Sequence, residues 1–308
     1  TFEEVEKAFK RQLQFIYRRF LKAERLMHQV QVETFRLPLR SALDYGCIER
    51  GMSHLIGGNG TYPGSYHIDR GLIDVADSLT SIKRLVFDEK KLTMEELMET
   101  LDSNFEDRKG EEIRQMCLAA PKYGNDIDEA DCAARDVAKF SADVICSERN
   151  VFGKPYILNR NGVSWHYSGG KGVGALPNGR KAWKPLYDGS LSPMTGKDMY
   201  GPTAVLNSAI KADYRDVSVP IINLKFPLTV LQSPEGLEKV SMLTETFIRN
   251  GGIHIQYNFL DKKTLLAAKK DPEKYKDLVV RVAGYSAYFV NLTSEVQDEI
   301  IARTEHCL

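Results

Sequence analysis

The sequence has no C-x-x-C pair. Its five cysteines (Cys47, Cys117, Cys132, Cys146, Cys307) are scattered and odd in number, which argues against zinc, a cysteine-held iron–sulfur cluster or a disulfide framework and points to reduced thiols. His54, His67, His166 and His254 lack the H-x-x-x-H or H-x-x-E-H spacings that put two imidazoles on one metal, so no metal site is expected. There is no charge surplus either. Lys plus Arg (42) balance Asp plus Glu (42), so no long-range field favours nucleic acid or an anionic membrane, and small molecules or other copies are the default partners. No apolar run nears the roughly 20 residues of a membrane helix, and the N-terminus lacks the apolar region of a signal peptide. A soluble, cytoplasmic protein is expected, in which the N-L-T sequon at Asn291 carries no meaning. There is no initiator methionine, so the sequence reads as a processed or partial chain.

What is present is length and pattern. A chain of 308 residues makes one large domain or two smaller ones and can bury roughly three-quarters of its unfolded surface. Residues 1–150 read as mainly helical. Phe2, Val5, Phe9, Leu13, Phe15, Ile16, Phe20 and Leu21 recur at helical spacing, and Thr1 with Glu4 forms a capping box. Thr93 with Glu96 repeats that start signal, and Leu72, Val75, Ala76, Leu79, Ile82, Leu85 and Val86 predict one long buried helix. Gly57–Gly64 reads as a turn-rich loop. From residue 150 to 218 Gly, Pro, Ser and Asn dominate, predicting long loops with short strands. Val219–Pro227 and Gly252–Leu260 read as strands flanking an amphipathic helix, a βαβ unit with parallel strands. Residues 151–260 thus form a second region and 261–308 a third, with helices near Lys262–Lys270 and Ser294–Glu305.

Between those last helices lies "RVAGYSAYFV", a bare glycine, Gly284, among large residues. Two readings stand open. Gly284 supplies a positive-φ turn in a buried loop, or its missing side chain is itself the chemistry.

"RVAGYSAYF", with "GGIHIQYN" and "DPEKYKDLVV" before it and "LTSEVQDEIIARTEH" after it, resembles the carboxy-terminal domain of the glycyl radical enzymes of the pyruvate formate-lyase-like superfamily. The likeness extends upstream through "GKGVGALPNGRKAWKPLYDG", "SPMTGKDMYGPTAVLNS", "APKYGND" and "DVADSLTSIKRLVFDEK", nearly the whole chain. The resemblance implies an α/β fold, half of a ten-stranded β/α barrel with outer helices plus a C-terminal glycyl radical domain. It implies that Gly284 stores a radical as a post-translational cofactor made from backbone. A radical at an α-carbon is stabilised when the flanking amides share the electron, which needs a planar centre that any side chain would crowd. Val282, Ala283, Tyr285, Ala287, Tyr288 and Phe289 would enclose it, and Arg281, Val282 and Tyr285 would support the loop. In such enzymes a separate iron–sulfur S-adenosylmethionine activase removes the glycine hydrogen, and the radical passes to a cysteine thiol that attacks substrate.

Cys47, in "YGCIERG", is similar on its surface to the family's glycine-cysteine-x-glutamate loop, but it lies only 237 residues before Gly284 in a helical stretch. It reads as a buried structural thiol, with the thiyl role as the alternative. The thiol-bearing half is then expected on a partner chain or on the other product of a cut chain, with further self-association. Glu49, a charge on an otherwise apolar helix, resembles a substrate acid or base of the arylacetate decarboxylases, with a structural ion pair as its alternative. "TEH" and "VAGYSAYF" are similar to the dehydratase and decarboxylase branch, so a lyase is expected. The alternatives are a pyruvate formate-lyase-type acyltransferase, a non-catalytic part that replaces oxygen-damaged glycine, and a relic that serves only in assembly. "SGGKGVGALPNG" lacks the G-x-x-x-x-G-K-[ST] spacing, and Pro177 stops a helix after it, so nucleotide binding is not expected.

Overall fold

The computed structural model describes residues 1–308 except 36, 61–65, 69, 161, 163, 213–216, 219 and 308, and of 66–68 and 217–218 the backbone alone. The loop expected at Gly57–Gly64 is therefore followed only to Gly60, and the Val219 end of the expected strand and the His67 ring lie outside the described residues.

Helix α1 (Phe2–Thr34) starts at the expected box: the Glu4 amide donates to Thr1 Oγ1 at 3.3 Å and the Thr1 ammonium to Glu4 Oε2 at 2.7 Å. It runs 33 residues, roughly 50 Å. Only Leu21 is fully buried, with Phe2, Phe9 and Tyr17 packed on the main core. Phe15, Ile16 and Phe20 of the predicted apolar stripe, and Leu26, Met27 and Val30 beyond it, stay more than half exposed. Two short helices follow, α2 (Pro38–Leu43) and α3 (Cys47–Arg50), in place of the longer helical stretch expected there; Gly46 and Gly51, at φ 83° and 60°, break it on both sides of α3.

After β1 (Tyr66–Ile68), α4 (Leu72–Ile82) is buried on nearly every side. Its hydroxyls are satisfied by carbonyls one turn back, Ser78 to Asp74 at 2.6 Å, Thr80 to Ala76 at 2.9 Å and Ser81 to Asp77 at 2.8 Å. The one long helix predicted here instead widens into a π-helical turn at Lys83–Asp88. Helices α5 (Met94–Asp102), opened by the Thr93–Glu96 box, and α6 (Arg108–Ala119) enclose a small core of their own, and α7 (Asp128–Ser147) packs along α4. Next come β2 (Ile157–Asn159), α8 (Trp165–Gly170) and α9 (Gly201–Lys211). The short strands expected in residues 150–218 are present as β2 and another at Val217–Ser218, and the helices α8 and α9 are the departure from the loops expected there. The start of α9 is Gly201 at φ 86° followed by Pro202, the fixed-φ residue suited to a first turn.

Strands β3 (Val217–Ser218), β4 (Ile222–Phe226) and β5 (Ile255–Phe259) complete the parallel set. β1, β2 and β3 lie side by side, and β4 pairs β5 in register from Ile222↔Ile255 to Phe226↔Phe259. Helix α10 (Pro234–Arg249) makes the β4–β5 crossover, the βαβ unit read from the sequence. Ile222, Leu224 and Phe226 join the main core along with Ile255, Tyr257 and Phe259. Beyond them α11 (Lys262–Lys270), the hairpin β6 (Val279–Arg281) and β7 (Ser286–Tyr288), and α12 (Ser294–Ala302) surround a second core of Leu265, Val280, Val282, Phe289, Val296 and Ile300. The architecture is mixed α/β.

A clamped glycine hairpin as the candidate site

The β6–β7 ladder pairs Val279 with Tyr288 and Arg281 with Ser286, and the Val282 amide donates to the Tyr285 carbonyl at 2.9 Å. Ala283 and Gly284 form the two-residue tip. Gly284 lies at φ 85° and Ala283 is not among the positive-φ residues, the pattern of a type II turn, whose second central position calls for glycine. The turn alone accounts for a glycine, and the chemistry must rest on its surroundings.

Those surroundings are asymmetric. Val282, Ala283 and Phe289 are buried, and Tyr285 and Ala287 are half-buried against the second core. Gly284 itself is exposed and Tyr288 is about half exposed. The expected enclosure in a buried loop is thus corrected: the chain covers the inner flank of the glycine and leaves the tip open.

The hairpin is held from below by strand β5. The Gly284 amide donates to Gln256 Oε1 at 2.9 Å. Two residues on, Asn258 acts as an extra strand residue, accepting from the Arg281 amide at 2.8 Å and donating to the Arg281 carbonyl at 3.0 Å. Gln256 and Asn258 are both buried and share one face of β5, opposite the face in the main core. Their register partners on β4, Asn223 and Lys225, are buried too, and Lys225 Nζ donates to the Ile301 carbonyl at 3.4 Å.

A buried ionic cluster holds the other flank. The Arg303 guanidinium, just past α12, donates to the Val282 carbonyl at 2.8 Å and pairs with Glu299 at 2.8 Å and Asp188 at 3.0 Å. Asp188 also accepts from Asn223 at 2.6 Å, and His166 Nε2 lies 3.7 Å from Glu299. Burial pushes the Glu299 carboxyl up, but Arg303 and the hydrogen bonds outweigh it and hold the group at about 2. Burial raises Asp188 despite Arg303, with the Glu299 charge adding to the rise. Asp188 follows Tyr187, whose amide donates to Asp74 Oδ2 at 3.2 Å and whose hydroxyl donates to Asp77 at 3.0 Å. Desolvation raises Asp74 to about 7 and Asp77 to about 6. Polar contacts therefore run from the central helix α4 to the carbonyl two residues before Gly284.

Of the site residues read from the sequence, Arg281, Val282, Gly284 and Tyr285 come together in this hairpin, with the Arg281 guanidinium donating to Ser286 Oγ at 3.0 Å. Glu49 is elsewhere, on α3, which packs on α2. It is exposed, beside an exposed Ile48, so the expected buried charge is corrected. Cys47 is buried at the first position of that helix. His254 precedes β5 instead of lying on it and is half-buried, 3.4 Å from Gln256. The glycine-rich segment before Arg180 presents carbonyls inward: the buried guanidinium takes those of Gly170 at 2.9 Å and Gly174 at 2.8 Å, and that of Pro185 on its other side at 3.1 Å. Such a loop is built around a cation and does not fit a phosphate. Among the described residues no cluster of three or more His, Cys, Asp or Glu could hold a metal.

Gln256, Asn258, Asp188, Glu299 and Arg303 were not singled out by any motif. For the strand residues the available signal was the alternation of polar with apolar residues in "IQYNF" and "INLKF".

Residues 1–167 match the family model described as pyruvate formate lyase-like, and residues 187–290 the model described as glycine radical. The chain is 37% identical over 305 residues to the trans-4-hydroxy-L-proline dehydratase of Clostridioides difficile, covering 99% of this chain and 38% of that protein. It is 39% identical to the isethionate sulfite-lyase of Oleidesulfovibrio alaskensis, covering 99% of this chain and 37% of that one. The B12-independent glycerol dehydratase of Clostridium butyricum superposes with a TM-score of 0.94 at 39% identity, over 100% of this chain and 39% of its own. The chain thus spans less than two-fifths of the length of these relatives.

Proposed function

The chain belongs to the glycyl radical enzymes, and we propose that it is the radical-bearing part of a lyase of that family, with Gly284 as the radical store. The observation that carries the reading is the hairpin: a glycine with an open Cα at its tip, whose own amide and neighbouring backbone groups are held by buried side chains. When Gly284 has given up a Cα hydrogen atom to a radical S-adenosylmethionine activating enzyme, it supplies an unpaired electron that can be exchanged for the hydrogen of a cysteine thiol. This chain's contribution is to hold the glycine. Arg281 and Val282 fix the incoming strand, Tyr285 packs the outgoing one on the second core, and Val282, Ala283 and Phe289 keep water from the inner flank.

The thiol belongs, in this reading, to the part of the family's length that the chain does not span, in a partner chain or a cut portion of the same protein. That part would complete a ten-stranded barrel with the five parallel strands of this one. It would cover the exposed apolar residues of α1 as well as Leu39, Leu43 and Ile48, an exposed apolar surface of the kind that marks an interaction face. It would also close over the open side of Gly284. Glu49 is then free to face the completed cavity as a substrate acid or base. A lyase is preferred over an acyltransferase because the dehydratase and sulfite-lyase named above match nearly the whole chain. A replacement glycine subunit would need only the terminal domain, whereas here the likeness begins at residue 1. A cytoplasmic location completes the proposal.

The test is Gly284→Ala in the complete, anaerobically activated enzyme, assayed on hydroxylated and sulfonated substrates such as hydroxyproline, glycerol and isethionate. The expected result is a folded protein, at a strain cost of roughly 1–2 kcal/mol at the positive-φ position, with no turnover. Turnover at the wild-type rate refutes the assignment.

A further inference from the structure

The contact between Gln256 and the Gly284 amide has a role that packing does not require. We propose that Gln256 is a positioning residue for the radical: its side-chain oxygen pins the Ala283–Gly284 peptide plane and draws on its N–H, strengthening electron donation from that nitrogen to the Cα. This rests on the radical reading of Gly284.

The geometry supports it as follows. Among the hydrogen bonds described, the Gly284 amide donates one, at 2.9 Å, and its acceptor is Gln256 Oε1, on a buried side chain of a strand rooted in the main core. Asn258, one strand repeat away on the same face, fixes both backbone groups of Arg281, and Arg303 fixes the Val282 carbonyl. The backbone is therefore anchored at residues 281, 282 and 284 by side chains, which is more than a two-residue turn needs for its own closure. An electron shared with both flanking amides also demands that the glycine be flat and extended. At φ 85° the resting turn is far from that shape, so loss of the Cα hydrogen must flatten it. With the preceding peptide plane held by Gln256, the swing falls on the Gly284–Tyr285 side, where Tyr285 is only half-buried and the tip is open. The inner peptide stays fixed as the donor to the radical while the outer one turns.

The experiment uses the complete enzyme with its activating enzyme, nitrogen-15-labelled in glycine, and compares wild type with Gln256→Met, of similar length without the acceptor, and Gln256→Glu, which restores one. The readouts are spins per chain, nitrogen hyperfine coupling at the glycine radical, and radical half-life without air. The expected result is that Gln256→Met lowers the spin count about fivefold, the ratio corresponding to one net hydrogen bond of about 1 kcal/mol. It should also change the nitrogen coupling, and Gln256→Glu should restore both. Gln256→Asn, whose amide is too short to reach, is read the same way if the Met variant does not fold. Spin count, coupling and half-life unchanged in these variants overturn the inference and leave the radical assignment standing. A wild-type enzyme that gives no radical overturns both.

Discussion

The two faces of the β4–β5 pair are held by different physics. On one, Phe226, Leu224 and Ile222 meet Tyr257 and Phe259 in an apolar core, with the Phe226 and Phe259 rings stacked at 5.9 Å. On the other, Asn223, Lys225, Gln256 and Asn258 are equally buried yet meet backbone groups and charges. Apolar packing rewards any arrangement that excludes water, whereas hydrogen bonds are lost with small displacements. The apolar face gives stability and the polar face gives position.

The largest effect that sharpens this contrast is expected on the apolar side. Phe226→Ala should cost about 3–5 kcal/mol of global stability, seen as a lower denaturant midpoint, with hairpin amides exchanging only by global unfolding. Arg303→Leu, which strands Asp188 and Glu299, should cost about 3 kcal/mol and act locally: exchange at the Val282 and Gly284 amides should rise before the midpoint of the main core moves. Equal loss everywhere in both variants would erase the distinction.

Within the polar network itself, the α4 end and the Arg303 end should differ in pH response. Asp74 titrates at 3.8 when unfolded and at about 7 in the folded α4 network, so the stability it contributes is present below about 4 and is lost as pH rises through 7; Asp77, at about 6, acts the same way. Glu299 goes from 4.5 to about 2, so its contribution is present above 4.5 and is lost as pH falls toward 2, with Asp188 opposing it. Asp74→Asn should therefore flatten the denaturant midpoint between pH 4 and 7, and Glu299→Gln should flatten the loss of hairpin protection between pH 4.5 and 2. The smallest effect is expected at Cys47: Cys47→Ser should leave lyase turnover unchanged, and loss of turnover would return the thiyl role to this residue.

Much of this was legible locally. The boxes at Thr1–Glu4 and Thr93–Glu96, the parallel βαβ unit and the glycine motif all sit within short windows, where side chain and backbone interact over a few residues. The clamp was not. Asp188 and Arg303, or Asn223 and Asp188, meet across long sequence separations that no local pattern carries. Alternation in "IQYNF" distinguishes two faces but does not say that the polar one is buried, which it is because the β6–β7 hairpin lies on it. The openness of Gly284 was hidden for the same reason: its apolar neighbours in sequence pack inward, on one side only.

The most direct measurement is an electron paramagnetic resonance spectrum of the complete enzyme, activated without oxygen, followed by exposure to air and mass analysis of the fragments. The account requires a glycine-centred doublet and, after air, cleavage at Gly284. An activated enzyme that turns over substrate with no doublet and an intact chain would contradict it.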